Sequence, residues 1–565
     1  MPPPTSSHPL KQVGHGTSPF RQLLVSTATL LLSQIASATP SLAPYVQATK
    51  PIIDNQGRTR VIVDFLDDAH KNYLPDAIDL SNGKSTPHNP QAKKLIDDYE
   101  KKINFKKLVF TTWVGNSVTA YLDADQIDKL RKDPKVKLLA DDTYEQFSAP
   151  PPWYPNWNGA AWGELNDWGR VAVNGKTTGD VTGPLPMVYI IDSGVADHSD
   201  LSSVISRINL ACNTPDASTR DCSNDLVTNG YAGGPAPGYY SPVGCYAHAT
   251  HVAGIVGATA NNGQTRAGVF AGVPMTSIAT GITPGTNAAY TGWRLCSAKD
   301  PVTFASTIGV AFDYVYANNL RSTPGARPNV VTMSINTGQV GYSQSGTEQS
   351  NRAKLLKTVN PGTTPIYIGY GIYQTYYYPG AVFTQSAGNH FSDTCSNSVF
   401  SESAGAIIGS PAFKTSASAT STTIDGILVV GGINSNGDAV TGTAQNGNRF
   451  LPSEPLGLAN ADKASNYGNC VDIWAPAERI YSTWGYGDGV SEATSTLSGP
   501  PSVPWYTNNP PYSGQQPSNY VAPQHFSANG GYRGWGWLSG TSMAAPHVAA
   551  AAAYVIAKYQ LSTPA

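Results

Sequence analysis

The sequence predicts an α/β protein built in three layers: a mostly parallel central sheet with helices on both faces, preceded by a small α+β domain. Three observations lead there. At 565 residues the chain exceeds one ordinary core, so two or more folded units plus processing segments are expected. Beyond residue 149, short β-rich runs alternate with helices of small residues, which is how a parallel sheet with crossover helices reads. Between 48 and 148 the texture differs, with dense Lys and Asp and short alternating segments between polar helices.

The elements follow in order. Lys11 and Arg21 precede an apolar run from Leu23 to Leu32, and Ala36-Ser37-Ala38 comes next, the layout of a cleavable secretory signal over 1–38. An uncleaved membrane anchor would need about 18 apolar residues, and Ser26, Thr27 and Thr29 interrupt this shorter run. Residues 39–47 read as a linker. In the small domain, 48–148, Arg60 to Phe65 alternates as a half-buried strand, Ala92 to Lys102 carries Leu95, Ile96 and Tyr99 at helical spacing, and Ser117 to Leu122 reads as a second strand. Asp123 and Gln126 make a capping-box start for a helix presenting Ile127 and Leu130, which Pro134 stops before a third strand, Val136 to Leu139. Ala149-Pro150-Pro151-Pro152 is a stiff joint. In the domain 149–565 the β-rich runs are Met187 to Ile191, Val330 to Met333, Val382 to Ser386 and Ile427 to Val430, with a small-residue helix from His248 to Ala258. Residues 485–532, rich in Gly, Pro, Ser, Asn and Tyr, read as a long insertion, either a solvent loop or a wall of a cleft.

Composition narrows the function. Lys+Arg 36 against Asp+Glu 38 gives a net charge of -2, so the balance offers nothing to a nucleic acid or other polyanion. Six cysteines, Cys212, Cys222, Cys245, Cys296, Cys395 and Cys470, all follow the signal, and an even number in an exported chain favours disulfides. Cys212 with Cys222 is the pairing that closeness in sequence suggests. Neither Cys-x-x-Cys nor His-Glu-x-x-His occurs, which argues against a metal enzyme.

Three segments carry chemistry. Val188-Tyr189-Ile190-Ile191 is a buried-strand pattern and Asp192-Ser193-Gly194 follows it, placing a carboxylate at the carboxyl end of a parallel strand, where ligand crevices open; alone, Asp-Ser-Gly is also a common turn. In His248-Ala249-Thr250-His251-Val252-Ala253-Gly254 an imidazole opens a helix of small residues. His248 is the candidate base and His251 a packed helix residue. In Leu538-Ser539-Gly540-Thr541-Ser542-Met543-Ala544-Ala545-Pro546-His547-Val548-Ala549 a serine stands at the entry to an Ala-rich helix expected to be buried on all sides. There free N–H groups and the positive dipole end favour developing negative charge.

These segments, in the chain order Asp, His, Ser, resemble those of the subtilisin-like serine proteases, the subtilase family. Val331-Thr332-Met333-Ser334, Ser386-Ala387-Gly388-Asn389, Ser465-Asn466-Tyr467-Gly468 and Ile473-Trp474-Ala475-Pro476 extend the resemblance. Val118 to Leu122, Gln126, Leu130 to Pro134, Val136 and Asp141-Asp142 resemble the family's inhibitory propeptide. The resemblance implies a subtilisin-like fold and a triad of Asp192, His248 and Ser542, with Asn389 as oxyanion donor. It also implies that Ser334, Ile335 and Asn336 bind substrate by pairing with an extended peptide. It further implies a secreted, monomeric enzyme that acts on polypeptides, needs no cofactor, and is inhibited by its own propeptide until self-cleavage near Phe147 to Pro150. Calcium is a plausible stabiliser in the family, but no ligand set stands out here. No membrane association is expected once the signal is removed.

Some positions depart from the family. Ala249 stands where Gly is usual, Ile335-Asn336-Thr337 replaces Leu-Gly-Gly, His390 follows the oxyanion Asn, and the chain stops sooner after Ser542 than relatives do. Two other readings compete: a catalytically inactive relative that binds peptides, which loss of a triad member would favour, and an acid-active serine-carboxyl peptidase, which uses Glu where this chain has His248. A His base predicts activity rising through about pH 6 to 7 and so separates the last.

Overall fold

The computed structural model describes residues 42–48, 51–66, 89–147, 167–195, 198, 200–210, 247–262, 266–280, 302–336, 345–369, 372–389, 426–433, 465–466, 471–478, 480–484, 525–526, 532–538 and 540–564. The expected signal, all six cysteines, the Pro-rich joint, His390 and most of the 485–532 insertion lie outside these residues.

The small domain runs β1 (Tyr45–Val46), β2 (Thr59–Phe65), α1 (Pro90–Ile103), β3 (Lys107–Thr111), β4 (Ser117–Leu122), α2 (Ala124–Arg131), β5 (Val136–Asp141) and β6 (Tyr144–Phe147). Its first five strands form one sheet in the order β1-β5-β2-β4-β3. Asn89 caps α1 by accepting from the Gln91 and Ala92 amides at 3.1 and 3.2 Å, ahead of Pro90 in the first turn. Asp123 and Gln126 form the reciprocal capping box of α2. Leu95, Ile96, Tyr99, Ile127 and Leu130 then bury against Val61, Val63, Phe110, Val118 and Leu139 of the sheet, each contributing about 1.5–3 kcal/mol. Three strands go beyond the sequence expectation, β1, β3 and β6. β1 falls in the stretch read as linker, yet pairs parallel with Leu139 and Ala140. β3 is buried along its whole length, so it lacks the alternation that marks a half-buried strand.

The second part runs α3 (Trp168–Ala172), β7 (Lys176–Thr177), β8 (Val188–Asp192), β9 (Val204–Asn209), α4 (Ala247–Gly257), β10 (Phe270–Ala271), β11 (Met275–Ala279), β12 (Val302–Phe304), α5 (Ala305–Asn318), β13 (Asn329–Met333), β14 (Ile335–Asn336) and α6 (Ser345–Val359). It continues with β15 (Gly362–Gly369), β16 (Ile372–Tyr378), β17 (Ala381–Ser386), β18 (Ile427–Ile433), β19 (Ile473–Pro476), β20 (Ile480–Trp484), β21 (His525–Phe526), β22 (Tyr532–Leu538) and α7 (Thr541–Tyr559). Seven of these strands form a wholly parallel sheet, β19-β18-β17-β13-β8-β11-β9. Successive residues point to opposite faces. Tyr189, Ile191, Val331, Met333 and Phe383 pack on α5 and α6, while Val188, Ile190, Val330 and Val382 belong to the core of α4 and α7. This is the three-layer α/β architecture expected. α7 corrects one expectation: it is buried from Thr541 to Ala550, but Val555 and Tyr559 are exposed. Only the stripe Ala553, Ile556 and Ala557 is covered in its last turns. β20 pairs antiparallel with β22, Trp484 opposite Gly534, so the residues that flank the insertion lie side by side.

The small domain is joined to α5 by buried polar groups. Asp142 receives Arg60 Nε at 2.6 Å, Ser306 Oγ at 2.6 Å, the Ser306 amide at 3.1 Å and the Thr143 amide at 3.0 Å. Arg60 also lies 3.9 Å over the Phe304 ring. From α5, Asp313 accepts the amides of Thr112, Trp113 and Val114 at 3.1, 2.6 and 2.9 Å.

Candidate active site

The carboxyl ends of β8, β13 and β17, three neighbouring strands, lead into Asp192, Ser334 and the Ala387–Asn389 turn. The crevice therefore opens where a parallel sheet offers one. Asp192 is the last residue of β8 and is buried. Its Oδ1 accepts the Ser193 amide at 2.6 Å, and Gly194 follows at φ 105°, a left-handed turn that suits glycine. His248 is the second residue of α4, and its Nδ1 lies 2.9 and 3.0 Å from the two Asp192 oxygens. An ionised carboxylate only accepts, so the Nδ1 nitrogen carries a proton, and in the neutral imidazole that leaves Nε2 as the acceptor.

α4 can sit this close only because its residues are small. A Cβ on Gly254 would come within 2.3 Å of both Ser482 Oγ and Thr483 Oγ1. Those hydroxyls instead donate to the carbonyls of His251 and Thr250, each at 2.7 Å, while the buried His251 Nε2 meets the Ile480 carbonyl at 3.0 Å. Ala249 is fully buried.

Ser542 is the second residue of α7, buried, and its Oγ makes no hydrogen bond among the described residues. Pro546 has no N–H, so the Ser542 carbonyl lacks its usual partner four residues on. The Ser334 hydroxyl takes that place, donating to the Ser542 carbonyl at 3.0 Å. Thr541 fixes Asn389: its amide and hydroxyl both donate to Asn389 Oδ1 at 2.8 Å, and its Oγ1 accepts the Gly388 amide at 3.0 Å. With Oδ1 held, the Nδ2 of Asn389 is the end left to serve an oxyanion. Sequence reading missed these roles of Thr541 and Pro546, although both lie inside the motif that identified Ser542.

Ile335 and Asn336, the other residues expected at the site, form β14, which pairs antiparallel with β6: Ile335 opposite Phe147 and Asn336 opposite Gln146. On its other side β6 pairs antiparallel with β12. The last strand of the small domain thus lies between two strands beside the site, the arrangement of an extended peptide bound by strand addition. Among the described residues no group of three or more His, Cys, Asp or Glu is placed to hold a metal ion, and no helix is long and apolar enough to cross a membrane.

Among solved structures, fervidolysin from Fervidobacterium pennivorans, described as a keratinolytic enzyme related to subtilisin, is 16% identical with a TM-score of 0.47, over 93% of this chain and 58% of that one. The chain thus spans a little over half of fervidolysin's length. The epidermin leader peptide processing serine protease of Staphylococcus aureus is 14% identical with a TM-score of 0.42, over 89% of each chain. A cold-adapted subtilisin-like serine proteinase is 18% identical with a TM-score of 0.30, over 74% of this chain and 84% of that one. No curated protein matches. The sequence model of the subtilase family matches residues 184–565, more than half of the chain and the whole stretch that carries Asp192, His248, Asn389 and Ser542, so this chain belongs to the subtilase family.

Proposed function

We propose that the chain is a secreted serine endopeptidase, made as a zymogen, that hydrolyses peptide bonds of polypeptides through an acyl-enzyme. The observation that carries this is the His248 Nδ1 contact with both Asp192 oxygens, at the same edge of the sheet as a serine at the start of a helix. Ser542 Oγ attacks the scissile carbonyl carbon while its proton passes to His248 Nε2. Asp192 holds the tautomer and stabilises the imidazolium. The carbonyl oxygen becomes an oxyanion that takes hydrogen bonds from Asn389 Nδ2 and the Ser542 amide. The C–N bond then breaks as His248 returns the proton to the leaving amine, and water repeats the sequence on the ester. Contacts of this kind commonly tighten only with substrate bound, which accommodates the unbonded Ser542 Oγ.

Residues 48–148 act as an inhibitory propeptide. The support is β6, which lies against β14 as a substrate strand would, with its last residue, Phe147, at the start of the expected cut region. Residues 1–38 direct export.

A serine-directed fluorophosphonate applied to the purified protein tests the reading: modification is expected at Ser542 and nowhere else. Ser542→Ala should leave the precursor uncut and unlabelled. Normal processing of that variant in the absence of other proteases would refute self-cleavage, and labelling at another serine would refute the triad.

A further inference from the structure

We propose that Gln385 is a positioning residue for extended substrates: its buried amide ties the strand that receives the peptide backbone to the strand that ends in the oxyanion donor. The inference rests on the protease reading above and adds a determinant of substrate length to it.

β13 and β17 run side by side, with Met333 opposite Gln385. Just past that register the two chains part. One continues as Ser334 and β14, which pairs with β6; the other continues through Ser386 to Asn389. Gln385 stands at the fork. It is fully buried, and its Nε2 donates to the Ile335 carbonyl at 2.9 Å across the gap.

That bond fixes which backbone groups face the cleft. Alternate residues of an antiparallel strand turn their N–H and C=O toward the partner. Ile335 gives its carbonyl to Gln385, so Ser334 and Asn336, one residue to either side, turn theirs toward the strand lying in the cleft. Without the Gln385 amide, the Ile335 carbonyl has no reason to point away from that strand, and the alternation can slip.

Although the Ile335 side chain is buried in the core beneath α5 and Ser334 bonds the Ser542 carbonyl, β14 has little other backbone support. It is two residues long, and β6 is its one strand partner among the described residues. Once the small domain leaves, no strand among the described residues holds β14 in place, and the Gln385 amide still bonds its backbone to the parallel sheet. A short substrate that fills only the position before the cut needs little of β14. A longer peptide pairs along it.

The test uses enzyme matured from the full chain, assayed on a single-residue ester and on a peptide with four residues before the scissile bond. Gln385→Met keeps length and removes the donor. The loss of kcat/KM is expected to be about tenfold greater for the peptide than for the ester, mostly in KM, the size of one hydrogen bond's contribution. Hydrogen exchange in the uncut Ser542→Ala chain gives a second reading: with Gln385→Met added, exchange should quicken at 144–147 and 334–336 and stay slow at 329–333. Equal losses on both substrates, or faster exchange throughout, would make Gln385 a core residue and overturn the assignment. Wild-type enzyme that cleaves neither substrate would sink the protease reading and this inference with it.

Discussion

Two buried Arg–Asp pairs in this molecule look alike by distance and differ in every other respect. Arg60 and Asp142 meet at 2.6 Å where the small domain joins α5, and Arg266 and Asp167 meet at 2.7 Å near α7. At the first, Ser306 and the Thr143 amide complete the carboxylate's bonding. At the second, Asp167 Oδ1 and the Nε, Nη1 and Nη2 atoms of Arg266 make no hydrogen bond among the described residues. Taking two charges out of water is repaid only when the remaining lone pairs and protons are also satisfied. The first pair can therefore specify how the N-terminal sheet fits against α5, and the second holds by charge attraction alone.

The sharpest test of that contrast replaces whole pairs. Arg60→Met in the uncut Ser542→Ala chain is expected to cost about 3–5 kcal/mol of stability in urea unfolding, because Asp142 is left buried and uncompensated. Adding Asp142→Leu should not restore it, since the Ser306 and Thr143 amides then lose their acceptor. Arg266→Met should be costly alone for the same reason. Adding Asp167→Asn removes the stranded charge and keeps the cap on the Arg170 amide, so that double variant is expected to return to within about 1 kcal/mol of the parent. Equal behaviour of the two double variants would dissolve the comparison.

Asp313 is a second satisfied charge at the domain junction, with a smaller expected effect. Asp313→Asn replaces a charged acceptor of three amides by a neutral group that turns an N–H toward some of them. A loss of about 1.5–3 kcal/mol in the same unfolding assay is expected. Asn is nearly isosteric, so a loss this size would report hydrogen bonding and charge, and no change would mean that the three short contacts contribute nothing net.

The same contrast explains what the sequence revealed. The run from Arg60 to Phe65 is legible as a strand from its alternating residue types, although β2 is buried on both faces, Ile62 as fully as Val61 and Val63, and so is not the half-buried strand expected; capped helices such as Ala124–Arg131 announce their first turn. The segments around Asp192, His248 and Ser542 are legible as subtilase motifs because each is a short local run of fixed residue types, and all three lie within the family match. Tyr144–Phe147 was not, because its strand conformation comes from β12 and β14, far away in sequence. Nor were the Tyr-rich hairpin of β15 and β16, or helices α5 and α6, whose apolar faces are set by the sheet and the small domain they lie between. Arg60 read as the first residue of a strand; nothing near it in sequence says that its partner is Asp142, 82 residues on. Long-range polar pairing leaves no periodic trace.

The smallest expected effect concerns His547, which lies beside the unsatisfied pair. A Cβ on Gly169 would come 2.6 Å from its Nε2 and 3.1 Å from Asp167 Oδ2, so imidazole and carboxylate crowd the same glycine. Its Nδ1 donates to the Met543 carbonyl at 2.7 Å. Burial first, and then the Arg266 cation, push its pKa down to about 3, against the pull of the Met543 bond. The unfolded chain takes up this proton near pH 6.5 and the folded chain only near pH 3, so between those values the unfolded state binds more protons and stability falls as pH falls. The slope from this one group is at most about 1.4 kcal/mol per pH unit. His547→Asn, which can still offer an N–H to Met543 but does not titrate, should flatten the curve by that amount within this window and leave it unchanged above pH 7. Arg266→Met lifts part of the depression, so its decline should level off at a higher pH than in the parent. If the two variants and the parent trace parallel curves, the imidazole does not sense Arg266, and the second pair is isolated from α7.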